Sequence, residues 1–146
     1  MKYGNFFVNK TQTCPQKPQG KRAETEPMYR QALADRTRVL GADHPDTITS
    51  VAGLAICLND QGKLAEAEPM YRQALADSTR VLGADHPNTI ASVNNLAACL
   101  DDQGKRAEAE PMYRQALETF TRVLGADHPH TVISARGLAN CLKARG

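Results

Sequence analysis

The sequence has no tryptophan, and aromatic residues make up only 5% of its 146 positions, which excludes a core assembled around many large rings. Small and aliphatic side chains, within an apolar content of 41%, must do the packing. No apolar run approaches the roughly 18 residues that a membrane span requires. An excess of one charge is also lacking: 18 Lys and Arg stand against 16 Asp and Glu, a net +2. That balance argues against a nucleic-acid partner, which calls for a concentrated basic face, and no membrane partner is expected either. Near the amino end only Phe6, Phe7 and Val8 stand where a secretion signal needs about 7 to 15 apolar residues, so the expected compartment is cytoplasmic. The sequon Asn9-Lys10-Thr11 is then expected to stay unmodified.

What the chain does have is periodicity. Lys21, Lys63 and Lys105 each open a 42-residue unit, giving 21–62, 63–104 and 105–146, and the run Glu-Pro-Met-Tyr-Arg-Gln-Ala-Leu recurs unchanged from Glu26, Glu68 and Glu110. A period near 40 predicts a solenoid whose units pack on their neighbours in sequence. Residues 1–20, polar and with Pro15 and Pro18 in their second half, carry no helical period and are expected to form a flexible leader.

Each unit reads as two helices. The first, about Lys63 to Leu82 in the second unit, places Leu64, Ala67, Tyr71, Ala74, Leu75, Ser78 and Leu82 at helical spacing on one side. Glu68 and Arg72 form an i,i+4 pair, as do Glu26 with Arg30 and Glu110 with Arg114. Pro69 is expected to bend this helix, and Gly83 to close it with a left-handed cap. The second helix starts near Pro45, Pro87 or Pro129, a residue tolerated at the first helical position, with an acidic residue expected to assist the start. Its core stripe is Val51, Leu54, Ala55 and Leu58, repeated as Val93, Leu96, Ala97 and Leu100. Gln61-Gly62 and Gln103-Gly104 make the turn into the next unit.

The positions that differ between units form a second stripe on that helix. They are Thr49, Ala91 and Ile133; Ala52, Asn94 and Arg136; Ile56, Ala98 and Asn140; Asn59, Asp101 and Lys143; and Asp60 and Asp102, with Asn95 standing where the other units have Gly53 and Gly137. Steps of three and four put these on one face of a helix. A constant scaffold carries a varied face.

The constellation Val51-x2-Leu54-Ala55-x2-Leu58, Gly62, Ala67-x3-Tyr71-x2-Ala74 resembles the tetratricopeptide repeat. The 42-residue length and the Leu-Gly-Ala-Asp-His-Pro connector are similar to the subclass found in kinesin light chains and in the sensor arrays of nucleotide-binding immune-type receptors. The likeness covers residues 21–146. It departs at Leu58, Leu100 and Leu142, where the family has an aromatic, and at Thr25 and Ala135. The resemblance implies an all-α, right-handed superhelical solenoid of antiparallel helix pairs, six helices in all. It also implies a concave groove, lined by the second helices, that holds an extended peptide. The varied stripe maps onto that groove, and Asn94-Asn95 matches the paired asparagines with which kinesin light chains hold a peptide backbone. A carboxamide both donates and accepts, which suits a strand-like ligand of any sequence. Asp60, Asp101 and Asp102 toward one end and Arg136 and Lys143 toward the other would give the groove a charge polarity.

Other repeated residues have plainer readings. Cys57, Cys99 and Cys141 occupy one position per unit and are expected to be small core side chains, too far apart for disulfides. His44, His86 and His128 read as turn residues, not metal ligands. Gly-Lys at 20, 62 and 104 lacks the first glycine of a phosphate loop. Glu66, Glu68, Glu108 and Glu110 read as a solvated helix face. With no nucleophile and base brought together, neither enzyme activity nor a cofactor is expected.

The expected function is a non-catalytic scaffold for a protein or peptide ligand. The alternatives are a self-associating assembly module, or a piece of the sensor array of a larger receptor ATPase. The first unit opens on a helix with no partner in front and the last closes on one with none behind. Met28, Tyr29 and Leu33 at one end and Ile133, Leu138 and Leu142 at the other are therefore expected to expose apolar surface, unless residues 6–8 cover the first helix.

Overall fold

A computed structural model describes residues 19–145, with side chains from residue 24 on. Six helices follow in order: α1 (Gln19–Leu40), α2 (Pro45–Asp60), α3 (Leu64–Leu82), α4 (Pro87–Asp102), α5 (Arg106–Leu124) and α6 (Pro129–Arg145). Each helix packs mainly on the one before and the one after it. The fold is an all-α solenoid of antiparallel helix pairs. The first helix begins at Gln19, inside the stretch expected to be a leader, so Gln19 and Gly20 are helical; residues 1–18, including any cap by residues 6–8, lie outside the described part.

Two kinds of connection alternate, and each has a local cause. At the end of α2 the Lys63 amide donates to Leu58 O at 2.9 Å and the Gly62 amide to Asn59 O at 3.0 Å, with Gly62 at φ +81°. This pair of bonds is the Schellman arrangement, and it satisfies carbonyls that the helix end would orphan. At the end of α3, Gly83 has φ 94° and ψ 158°. This corrects the expected left-handed cap: the positive φ is there, but the residue lies in an extended region open essentially to glycine alone.

The start of α4 is also capped differently from the expectation. His86 Nδ1 accepts the Asn88 amide at 3.1 Å, and His44 and His128 do the same for Asp46 and His130. The histidines, not an acidic residue, are the N-caps, and Pro45 and Pro87 follow at a position where a missing amide costs nothing.

Two apolar strings run the length of the stack. One joins Ile48, Val51, Ala74, Ile90, Phe120 and Ile133 near the histidine turns. The other joins Leu54, Leu58, Tyr71, Leu96, Leu100 and Tyr113 near the glycine turns. Alanines at positions 55, 67, 97 and 109 belong to the second string and are fully buried, where any larger side chain would push paired helices apart.

The ends are exposed, with one correction. Met28 is 70% exposed, Val132 43% and Leu142 39%. Ile133 is instead buried against the first string, while Leu33 and Leu138 are partly buried. Helical phase explains the exchange: Ile133 faces back toward α4, and Val132 faces the open end.

Candidate protein-binding face

Among helices that are not consecutive, α4 and α6 come closest. Direct contact between α4 and α6 has no counterpart of similar extent among α1, α3 and α5. Two hydrogen bonds cross between neighbours: Ser134 Oγ donates to Asn94 Oδ1 at 3.0 Å, joining α6 to α4, and Asn59 Nδ2 donates to Asp102 Oδ2 at 3.3 Å, joining α2 to α4. The row α2, α4, α6 is therefore the inner side of the stack, and the varied stripe lies along it.

The stripe divides in two. Asn94 and Asn95, expected to grip a ligand from the open face, are each only 2% exposed and lie in the seams of the stack. The Asn94 carboxamide is occupied by Ser134. Asn95 stands at the position where Gly53 and Gly137 face the Tyr29 and Tyr113 rings, the latter so closely that a Cβ would come within 2.6 Å of the ring. Ala52, Ala91 and Ile133 are buried as well. Asp101 is buried and ion-paired with Arg106 at 2.9 Å, which removes it from the acidic end of the expected polarity. Thr49, Ile56, Asn59, Asp60, Ala98 and Asp102 keep partial exposure, and Arg136, Asn140 and Lys143 are exposed.

Sequence reasoning missed a set of clamps on the neighbouring helices. Glu68 was expected on a solvated face, yet it accepts from Gln103 Nε2 at 2.8 Å, Arg72 Nη2 at 2.8 Å and Lys105 Nζ at 3.1 Å. The Gln103 amide first, then Arg72 and Lys105, hold its carboxyl down at about 2. Glu26 is held at about 2 in the same way by Gln61, Arg30 and Lys63. Glu110 is lowered by Arg114 and by Arg145, which takes the place of the glutamine. The available signal was the constant separation of Glu, Gln and Lys from unit to unit. Two further pairs tie the α1–α2 connector to the end of α3 and the α3–α4 connector to the end of α5: Arg80 to Asp43 at 2.7 Å and Arg122 to Asp85 at 2.9 Å.

Cys57, Cys99 and Cys141 are buried and form no disulfide with one another, as expected. Burial pushes the Cys99 thiol up to about 11, against the weaker pull of Gln103. Among the described residues no cluster of His, Cys, Asp and Glu could hold a metal ion, and no helix is long and apolar enough to cross a membrane.

A tetratricopeptide repeat family model matches residues 17–77, 50–121 and 94–146, which spans all three units. The chain belongs to the tetratricopeptide repeat family. This repeat chain superposes with a TM-score of 0.80 on a crystal structure of nearly identical kinesin light chain TPR-like repeats from Podosopora anserina, at 27% identity over 87% of its length. A similar match is to BtubC (BKLC) from P. vanneervenii, with a TM-score of 0.75 and 27% identity over 86% of the chain. It spans 60% of the first of those structures and 50% of the second. No curated protein sequence matches it significantly. The chain is thus a kinesin light chain-like array of tetratricopeptide repeats.

Proposed function

We propose that this repeat chain is a non-catalytic scaffold that holds an extended peptide along the inner row of α2, α4 and α6. The observation that carries the reading is the line of accessible, unit-specific residues Ile56, Ala98 and Asn140, flanked by Asp60 and Asp102, on an otherwise repetitive surface. At about 3.3 Å per residue, a strand crossing three helices spaced roughly 10 Å apart takes on the order of nine residues. Arg136 and Lys143, exposed on α6 and without an ion pair among the described residues, would meet the acidic part of such a ligand. Charge would set register and encounter rate, and apolar contact at Ile56 and Ala98 would hold the middle. Cytoplasmic residence belongs to the same proposal, supported by three buried cysteines that form no disulfide with one another.

A random-peptide selection against the purified chain tests this. Lys143→Glu should weaken the acidic binders, and Ile56→Lys should weaken all of them. Unchanged affinity in both variants refutes the groove.

A second reading, self-association into an assembly, is favoured by the exposed apolar surface at Met28 on α1 and at Val132 and Leu142 on α6.

A further inference from the structure

Inside the molecule one interface is built twice, where α2 receives α3 and where α4 receives α5. Its residues on the receiving helix include Ile48 and Leu58 in the first case and Ile90 and Leu100 in the second, all at most 2% exposed. The same positions on α6 are Val132 and Leu142, both open to solvent. On the incoming helix the matching residues are Tyr71 and Tyr113, which are covered, while Tyr29 on α1 is 42% exposed. Beside Tyr29 lies an open hollow of about 270 Å³ lined by Thr25, Met28, Tyr29 and Ala32. The chain therefore carries both halves of its own internal interface, one at each end.

The charges at the two ends match in the same register. Internally, Asp43 pairs with Arg80 and Asp85 with Arg122. The next acid in that series is Asp127 and the arginine equivalent to Arg80 on α1 is Arg38; among the described residues Asp127 has no ion pair and Arg38 is held only by Asp35 at 3.5 Å. Arg72 of α3 also reaches Glu108 of α5 at 3.4 Å. The corresponding pair across the ends is Arg114 with Glu24.

We propose that a second copy of this chain docks head to tail, its α1 seated on α6 of the first as α3 sits on α2 and α5 on α4. This rests on the self-association reading and adds polarity to it: the head joins only to a tail. Leu142 fills the hollow beside Tyr29 and Met28 as Leu58 sits by Tyr71, Val132 packs toward the carboxyl end of α1, where Val39 and Leu40 are exposed, and Asp127 meets Arg38 there. Because the two faces differ and successive copies are related by the turn of the solenoid, the contact is heterologous and does not close, so copies add into an open filament.

Sedimentation of the full chain over a range of concentrations tests this, with two end-blocked variants. The wild type should grow past the dimer as concentration rises. Leu142→Glu and Met28→Glu, both at exposed positions, should keep their helicity by circular dichroism and each remain monomeric. Mixed in equal amounts they should form a dimer and nothing larger, since one retains a free head and the other a free tail. A charge exchange gives an independent check: Asp127→Arg and Arg38→Asp should each weaken assembly several-fold, and mixing the two should restore it. A wild type that stays monomeric at every concentration overturns both self-association and head-to-tail docking. A wild type that associates while either end-blocked variant still dimerises alone overturns the head-to-tail arrangement and leaves self-association standing.

Discussion

Tyr29, Tyr71 and Tyr113 offer a controlled comparison, because the residues from three before each tyrosine to four after it are the same in all three units. Local helix propensity at the three sites is therefore matched, and any difference in the cost of truncation must come from tertiary packing. Tyr71 and Tyr113 are 5% and 3% exposed, each enclosed by helices on both sides, whereas among the described residues Tyr29 has only α2 against it. A fully buried ring removes about 150–250 Å² from water. At about 25 cal/mol per Å² that is roughly 4–6 kcal/mol, in line with about 3–5 kcal/mol for burying and then deleting an aromatic side chain. Tyr71→Ala and Tyr113→Ala should each cost about 3–5 kcal/mol. With Tyr29 still 42% exposed, the same change there should cost about half as much. Urea unfolding followed by circular dichroism, at protein concentrations low enough to keep the chain monomeric, would read all three. Equal losses at the three sites would refute the reasoning, since they would mean that the open face of α1 is covered in the monomer.

Four further outcomes are expected. Glu68 has its carboxyl lowered from 4.5 to about 2 in the folded chain, so its clamp contributes stability that is complete above about pH 4.5 and is lost as pH falls toward 2. Glu68→Gln should cost on the order of 1 kcal/mol at neutral pH after solvent screening and should flatten the acid limb of a pH–stability profile. Asn94→Ala should lower the thermal midpoint and leave peptide affinity nearly unchanged, because Ser134 loses a buried acceptor; a large loss of affinity at unchanged stability would return Asn94 to the groove. Ser78 is fully buried and its hydroxyl has no hydrogen-bond partner, so Ser78→Ala should be neutral or stabilising by about 1 kcal/mol in the same urea assay. In a Cys14→Ser background the remaining thiols should react with a disulfide reagent only at the rate of opening, because burial raises Cys99 to about 11; fast labelling of the native chain would contradict the buried column.

The architecture was legible in the sequence because a repeat writes its own alignment. The period placed the helices, Gly62 and Pro87 marked real boundaries, and Ala67, Tyr71 and Leu96 were readable as core from helical spacing alone. The histidine caps were less legible, since a ring nitrogen accepting an amide is a matter of backbone angle at His44 and His86. The same holds for Gly83, where composition announced a positive φ but only the turn's geometry chose its ψ.

The candidate face shows the limit more clearly. Variation between units picked out a stripe, and the stripe lies on the inner row. Which of its members solvent can reach was not in the pattern, because a stripe of helical spacing spans enough of the circumference to meet both the open surface and the neighbouring helix. Asn94 and Asn95 fall in the seams because α5 and α6 stack on α4, whereas Asn140 and Lys143 stand on α6, on which no later helix packs among the described residues. Long-range partners were equally hidden: nothing local to Glu68 announces Gln103 and Lys105, which reach it only because the turn after α4 folds back onto α3. Local chemistry, repeated, determined what each unit becomes, and the stacking of one unit on the next decided which side chains remain available for a partner.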